Sequence, residues 1–167
     1  VEPASEVDLR AARHPLLDPA TAVPIDLPLP GIRALVVSGP NTGGKTVLLK
    51  AVGLLGALAQ SGIIPPVGAG SQLPVFTRFF ADIGDHQSLA ANLSTFSAHL
   101  AALRNILSEA DPATLVLLDE IGSGTDPTEG AALAAAALLS LTRRGTTTLA
   151  TTHLGALKTL PERDPGI

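Results

Sequence analysis

Leu35-Val36-Val37-Ser38-Gly39-Pro40-Asn41-Thr42-Gly43-Gly44-Lys45-Thr46-Val47-Leu48-Leu49-Lys50 sets the architecture expected of the whole chain. Its middle, Gly39 to Thr46, fits G-x-x-x-x-G-K-[ST], the phosphate-binding loop or Walker A pattern. A polyphosphate is anionic and needs several donors converging on it. Glycines at 39, 43 and 44 let the backbone curl without Cβ clashes, so that consecutive N–H groups point inward. Lys45 adds a mobile positive charge for the β- and γ-phosphates, and the Thr46 hydroxyl is a hard oxygen suited to Mg2+. A helix starting here aims the positive end of its dipole at the same anion. The candidate binding set is Gly39, Pro40, Asn41, Thr42, Gly43, Gly44, Lys45, Thr46 and Val47.

The motif needs a strand before it and a helix after it; a chance glycine turn would have neither. Ile32 to Val37 is a short apolar, β-branched run of the kind that forms a buried parallel strand. Thr46 to Gln60 is apolar on nearly every side, with Lys50 its only charge, which reads as a buried helix. It stops at Ser61-Gly62, with Pro65-Pro66 beyond.

The chain has 167 residues, enough for one domain with a real core. Hydrophobic residues make up 46% and charged ones 16%, a globular balance. No apolar run reaches the roughly 18 residues of a membrane helix, and no signal peptide is visible, so no membrane partner is expected. There is no Cys, which excludes disulfides and thiolate metal sites and fits a cytoplasmic protein. A net charge of −4 and only four Phe make the domain by itself a poor grip for nucleic acid. The first residue is not Met, and Pro161 to Ile167 reads as cut rather than finished, so a piece of a larger protein is expected.

Residues 1–30 are rich in Pro, with strands expected at Val7 to Ala11 and Val23 to Leu27. Pro limits these to edges and strand ends, which points to a small antiparallel β flap beside a core over residues 31–167. Within that core, Gly62 to Pro74 reads as a loop, Val75 to Ala81 as a strand, and Ser94 to Ala110 as a helix with Ser94 as its N-cap. Phe96, Leu100, Leu103, Ile106 and Leu107 fall on one face of that helix. Thr114 to Leu118 is a second buried strand. Asp126, Pro127 and Glu129 start a helix that Arg143, Arg144 and Gly145 end. Thr146 to Thr151 is a third strand, and Leu154 to Leu160 a last short helix. The alternation predicts an α/β fold, a mostly parallel sheet with helices on both faces. The active edge of such a sheet lies beyond the carboxyl ends of its strands, where Gly39 to Thr46, Asp119-Glu120 and His153 all fall.

Leu115 to Glu120 is a hydrophobic strand closed by an acidic pair, the Walker B pattern of a nucleotide site. Asp119 is placed to hold Mg2+ with Thr46. Glu120 is placed to orient and polarise an attacking water as general base, where the bland alternative is a solvated acidic pair. His153, one residue past a buried strand, is either structural or a donor that reaches the γ-phosphate and reports whether ATP or ADP is bound. Ser94-Thr95 is on spacing alone a helix cap, although a helix N-terminus also suits a phosphate of its own or a facing subunit. Gly122 to Gly130 reads as a glycine turn leading into a capped helix, and Arg13-His14-Pro15 as a turn.

Gly39 to Thr46, Ser94-Thr95-Phe96, Asp119 to Asp126, Thr151-Thr152-His153 and the lead-in Arg13-His14-Pro15 together resemble the ATPase domain of the MutS family over nearly the whole chain. Thr42 and Thr46, Phe80 to Ser88, and Asp126 to Gly130 look like its second bacterial branch, MutS-two. Leu93-Ser94-Thr95-Phe96-Ser97 stands where ABC transporters and SMC proteins carry a Leu-Ser-Gly-Gly type signature, which argues against a transporter. The resemblance implies a P-loop NTPase of the ABC type that binds and hydrolyses ATP as a homodimer. By analogy Asn41 lies near the γ-phosphate or the water, Ser94 caps the partner subunit's γ-phosphate in trans, Asp126 sits in a loop crossing between the two sites, and His153 is the switch histidine. His14 and the Val23-Pro24-Ile25 stretch border the adenine. Full-length members use ATP to open and close a clamp, and are associated with branched DNA, suppression of recombination, repair and rescue of stalled ribosomes. They commonly carry a coiled coil and a nuclease-like domain, neither present here, so nucleic acid or ribosome contacts would lie outside this chain.

Two functions remain. The first is a Mg2+-dependent ATPase motor; the second is a nucleotide-gated dimerisation switch with little turnover of its own. A small-molecule kinase would need a substrate pocket and lid that the sequence lacks.

Overall fold

The computed structural model describes residues 1–40, 44–84 and 92–167, the side chains of residues 92–95 excepted. Its centre is a parallel sheet of β4 (Ala34–Ser38), β6 (Arg78–Asp82), β7 (Thr114–Leu118) and β8 (Thr147–Thr152), in the spatial order β4-β8-β7-β6. All five residues of β7 and all six of β8 are buried. Alternation then sorts the side chains by face. Leu115, Leu117 and Leu149 join one core, and Val116, Leu118 and Ala150 the other.

The first core is closed by α1 (Lys45–Gln60), whose Leu49, Val52 and Leu55 are fully buried. The helix lies close to the sheet because Gly53 faces it; a Cβ there would stand 2.7 Å from Leu117 Cδ1. Burial is nevertheless one-sided, and Val47 is 43% exposed. Val47, Lys50, Ala57 and Gln60 form the exposed face of the helix. The second core is closed by α2 (Asn92–Glu109), α3 (Pro127–Arg143) and a 3₁₀ helix (Gly155–Glu162). Helices on both faces of a parallel sheet, as expected, make the α/β architecture.

Burial in α2 deepens toward its C-terminal end, from a partly buried Phe96 and an exposed Leu100 to buried Leu103, Ile106 and Ala110. The helix starts two residues before the expected Ser94, which therefore lies in the first turn rather than at the cap. The α3 boundaries follow the sequence signals. Asp126 Oδ1 accepts from the Thr128 and Glu129 N–H groups at 2.9 and 3.2 Å. The Glu129 carboxylate, instead of reaching back to the cap, accepts the Thr125 hydroxyl at 3.1 Å. At the other end Thr146 N–H reaches Leu141 O and Gly145 N–H reaches Thr142 O, a Schellman closure.

The N-terminal flap is a second sheet, in the order β1-β5-β2-β3: β1 (Glu2–Pro3), β5 (Gln72–Leu73), β2 (Asp8–Ala12) and β3 (Ile25–Pro28). The β2–β3 pairing is antiparallel, as expected, with a bulge between Leu9 and Ala12 where Ala11 takes a positive φ of 42°. Two features differ from the sequence reading. The segment read as the loop Gly62 to Pro74 supplies β5, which pairs with both β1 and β2. The flap also shares a core with the main body, since Val7, Leu9 and Ala12 pack in one cluster with α1 and β7. Strand β4, expected to be buried, is an edge strand in which only Ala34 is fully buried, because it pairs with β8 alone. Its N-terminal end is covered by the last residues of the chain: Gly166 O accepts from the Arg33 and Ala34 N–H groups at 2.7 and 2.9 Å.

Candidate active site

The order β4-β8-β7 puts one strand between the phosphate-loop strand and the acidic-pair strand. Their ends are therefore about 10 Å apart, two strand spacings. The residues that close this gap come from the start of α1 and the end of β8. Gly44, at the α1 N-cap, has φ 74° and ψ 14°, a left-handed conformation that a side chain would strain. It turns the chain into the helix, and Lys45 and Thr46 follow at once. The Lys45 side chain is buried and its ammonium donates to the Gly39 carbonyl. Pro40 and Val47 flank the loop, both exposed. Asn41, Thr42 and Gly43 lie outside the described residues.

Asp119 is 5% exposed, and each carboxylate oxygen has a hydroxyl donor. The Thr46 hydroxyl donates to Oδ2 at 2.7 Å, joining residues 73 positions apart. The Thr151 hydroxyl donates to Oδ1. A carboxylate buried this deeply needs such hydrogen-bond partners. The backbone N–H of Asp119 is taken by Asp82 O at 2.9 Å. Among the described residues no group of three or more His, Cys, Asp or Glu gathers to hold a metal. What is present is one hydroxyl and one carboxylate side by side, a donor pair that fits a hard cation completed by phosphate oxygens and water.

Glu120 has φ 52°, left-handed backbone in a residue with a full side chain. Such a conformation costs on the order of 1–3 kcal/mol and persists where the surroundings impose it. Here Thr151 imposes it. Its hydroxyl oxygen accepts the Glu120 N–H at 2.8 Å, its carbonyl accepts the Ile121 N–H at 2.9 Å, and Ser123 N–H closes the turn on Glu120 O at 3.1 Å. The strained turn brings Glu120 Oε2 to 3.8 Å from His153 Nδ1, with the two side chains 25% and 51% exposed. Behind it, Gly122 packs against Gly130 in the first turns of α3: a Cβ on Gly130 would stand 2.0 Å from Gly122 O.

Thus Lys45, Thr46, Asp119, Glu120 and His153, read from three separate stretches, meet at one edge of the sheet. Ser94 lies in the first turn of α2, and its side chain is outside the described residues. His14 and Val23 lie between β2 and β3 with local contacts: His14 Nδ1 accepts the Leu16 N–H at 3.2 Å, and Val23 is 79% exposed. Asp126 is occupied in capping its own helix. Sequence reasoning assigned no role to Thr151, which touches both acidic residues. The available signal was a run of threonines inside a strand otherwise placed to be buried, since a buried hydroxyl demands a partner. It also passed over the pair of Asp82 Oδ2 and His99 Nδ1, 2.5 Å apart.

A family model described as MutS domain V matches residues 35–167. Among curated proteins, the chain is 57% identical to a protein named Endonuclease MutS2 from Gemmatimonas aurantiaca, over 99% of this chain and 21% of that protein. Proteins of the same name from Thermomicrobium roseum and Lactiplantibacillus plantarum are 55% and 53% identical, over 99% and 95% of this chain. The chain spans about a fifth of the length of these curated relatives. With a domain V covering the sheet, the helices and the acidic edge, the chain belongs to the MutS family.

Proposed function

We propose that this chain is a P-loop ATPase of the ABC type that binds ATP with Mg2+ and hydrolyses it. The observation that carries the reading is the 2.7 Å contact between Thr46 and Asp119, with Lys45 before it and Glu120 after it. A lysine, a hydroxyl–carboxylate pair and a second carboxylate around one sheet edge suit a terminal phosphate and little else. Lys45 and the backbone from Gly39 to Val47 hold the phosphates. Thr46 and Asp119 would hold Mg2+, which when bound neutralises developing charge on the phosphate oxygens. Glu120 orients the attacking water and accepts its proton, and His153 beside it senses the γ-phosphate. His14 and Val23 border the adenine, and Ser94 of a partner copy completes the site in a homodimer.

The relatives' name, Endonuclease MutS2, supports a nucleic-acid setting. Within it, the proposed role of this domain is to drive a dimeric clamp of a larger protein that acts on branched DNA in recombination and repair or on stalled ribosomes. Among the described residues no helix is long and apolar enough to cross a membrane. With a net charge of −4, the domain leaves the nucleic-acid contacts to other parts of that protein.

Glu120→Gln tests the reading. It removes the base and keeps the shape, so steady-state turnover falls by about two to four orders of magnitude, while ATP affinity is kept and an ATP-bound dimer accumulates. Unchanged turnover in Glu120→Gln would reject Glu120 as the base and this mechanism with it.

A further inference from the structure

We propose that Asp82 and His99 are positioning residues for Glu120, fixing α2 against the acidic edge so that the attacking water is held in line; the inference rests on the ATPase reading above. Asp82 is the last residue of β6 and pairs in register with Leu118, the last of β7. It acts in two directions. Its carbonyl accepts the N–H of Asp119 at 2.9 Å, and its carboxylate lies 2.5 Å from Nδ1 of His99, two turns into α2. On the same stretch of α2, Phe96 packs on the turn after the acidic pair, where a Cβ on Gly124 would stand 3.4 Å from Phe96 Cβ. The end of β6, the acidic turn and α2 enclose a cavity of about 30 Å3, lined by Asp82, His99, Asp119 and Glu120 among others.

The pair differs from an ordinary surface bridge. Arg78 and Asp111, also joined at 2.7 Å, are 49% and 41% exposed, whereas His99 and Asp82 are 19% and 26% exposed. A half-buried polar pair gives little net stability over an apolar one, because desolvation offsets attraction. What it supplies is direction. Apolar packing holds α2 by its C-terminal half, at Leu103 and Ile106, while Leu100 is exposed. The N-terminal half needs a directional contact to keep one position, and the His99–Asp82 contact provides it within the wall of the Glu120 cavity. Neither residue belongs to the phosphate loop, so binding and chemistry should separate when the contact is cut.

The test compares His99→Leu, which keeps bulk and loses the contact, with His99→Asn, which puts an amide N–H where Nδ1 stands. Asp82→Ala, at the partly buried end of β6, serves as the second cut. Steady-state ATP turnover, KM, affinity for a non-hydrolysable ATP analogue, thermal stability and hydrogen exchange over residues 119–123 are read for each. Expected in His99→Leu is a fall in kcat of at least about tenfold, with KM and analogue affinity within about twofold. Exchange over residues 119–123 should be faster, His99→Asn should recover most of kcat, and the double variant with Asp82→Ala should be no worse than either single one. Unchanged kcat and exchange in His99→Leu and Asp82→Ala, with wild-type turnover present, would overturn the inference and leave the ATPase reading intact. So would a His99→Asn variant as impaired as His99→Leu, since that pattern reports packing. Absence of turnover in the wild type, or no effect of Glu120→Gln, would instead sink the reading beneath it.

Discussion

A methyl group on Gly130 would lie 2.0 Å from the carbonyl oxygen of Gly122, closer than any atom tolerates. Two effects then compete in Gly130→Ala. Helix propensity favours alanine by up to about 1 kcal/mol, while forcing an atom into a packed site costs about 1–3 kcal/mol or more. The second wins, because the atom struck is backbone and cannot rotate away. Gly130→Ala should therefore lower stability by about 2 kcal/mol in urea denaturation, and equal or higher stability would refute the glycine contact. The same residue shows where a sequence stops being legible. Gly122 and Gly130 were both visible in the motif, and a glycine near the start of a well-capped helix is an oddity on propensity grounds. Nothing in the string says that the two touch. Thr151 is a similar case, one threonine among several in β8, set apart only by the two acidic residues that folding brings to it. That Lys45, Thr46, Asp119 and Glu120 would meet was legible because each pair sits in a short, contiguous motif at the end of a strand.

Elements were legible where local signals were strong. Strand β7 and helix α3 kept nearly the expected bounds, one an apolar run closed by charge, the other capped at both ends. Strands β1 and β5, two residues each, have no periodicity to read; β5 forms on the edge of β2, and β1 on the edge of β5. The corner between α2 and β7 gives an element-scale test. Asp111 Oδ1 accepts the Thr114 hydroxyl at 2.7 Å and the Ala113 N–H at 2.9 Å, and Oδ2 meets Arg78 Nη1 at 2.7 Å. These contacts, the Thr114 hydroxyl first, hold the Asp111 carboxyl below the ordinary carboxylate value, with desolvation pulling the other way. A depressed folded-state pKa means a contribution to stability that is complete above the unfolded value, near pH 4, and is lost as pH falls through the lower folded value. Asp111→Asn should be less stable than wild type at neutral pH, and the gap should narrow below about pH 4. Urea midpoints from pH 7 to pH 2 read this directly, and a gap of constant size would show that Asp111 is not the titrating group.

At the scale of the whole molecule, the side chains proposed to act on ATP meet at one edge of the sheet. The proposed phosphate site is one that a second copy would complete through Ser94, at the start of α2. The shared-site geometry has a consequence that no single variant displays. If Glu120 of one chain works with Ser94 of the other, Glu120→Gln and Ser94→Ala each spoil both sites of a symmetric dimer. In a mixed dimer the two lesions fall on the same site: the Glu120→Gln chain lends an intact Ser94 to the chain that keeps Glu120. One site is doubly damaged and the other is fully wild type. Random pairing makes half of the dimers mixed, so combining the two inactive proteins should restore about a quarter of wild-type turnover. The recovery should grow with time as subunits exchange, and fade when dilution separates the pair. A mixture no more active than the average of its two components would place Ser94 and Glu120 in the same site of one chain, or remove Ser94 from the chemistry altogether.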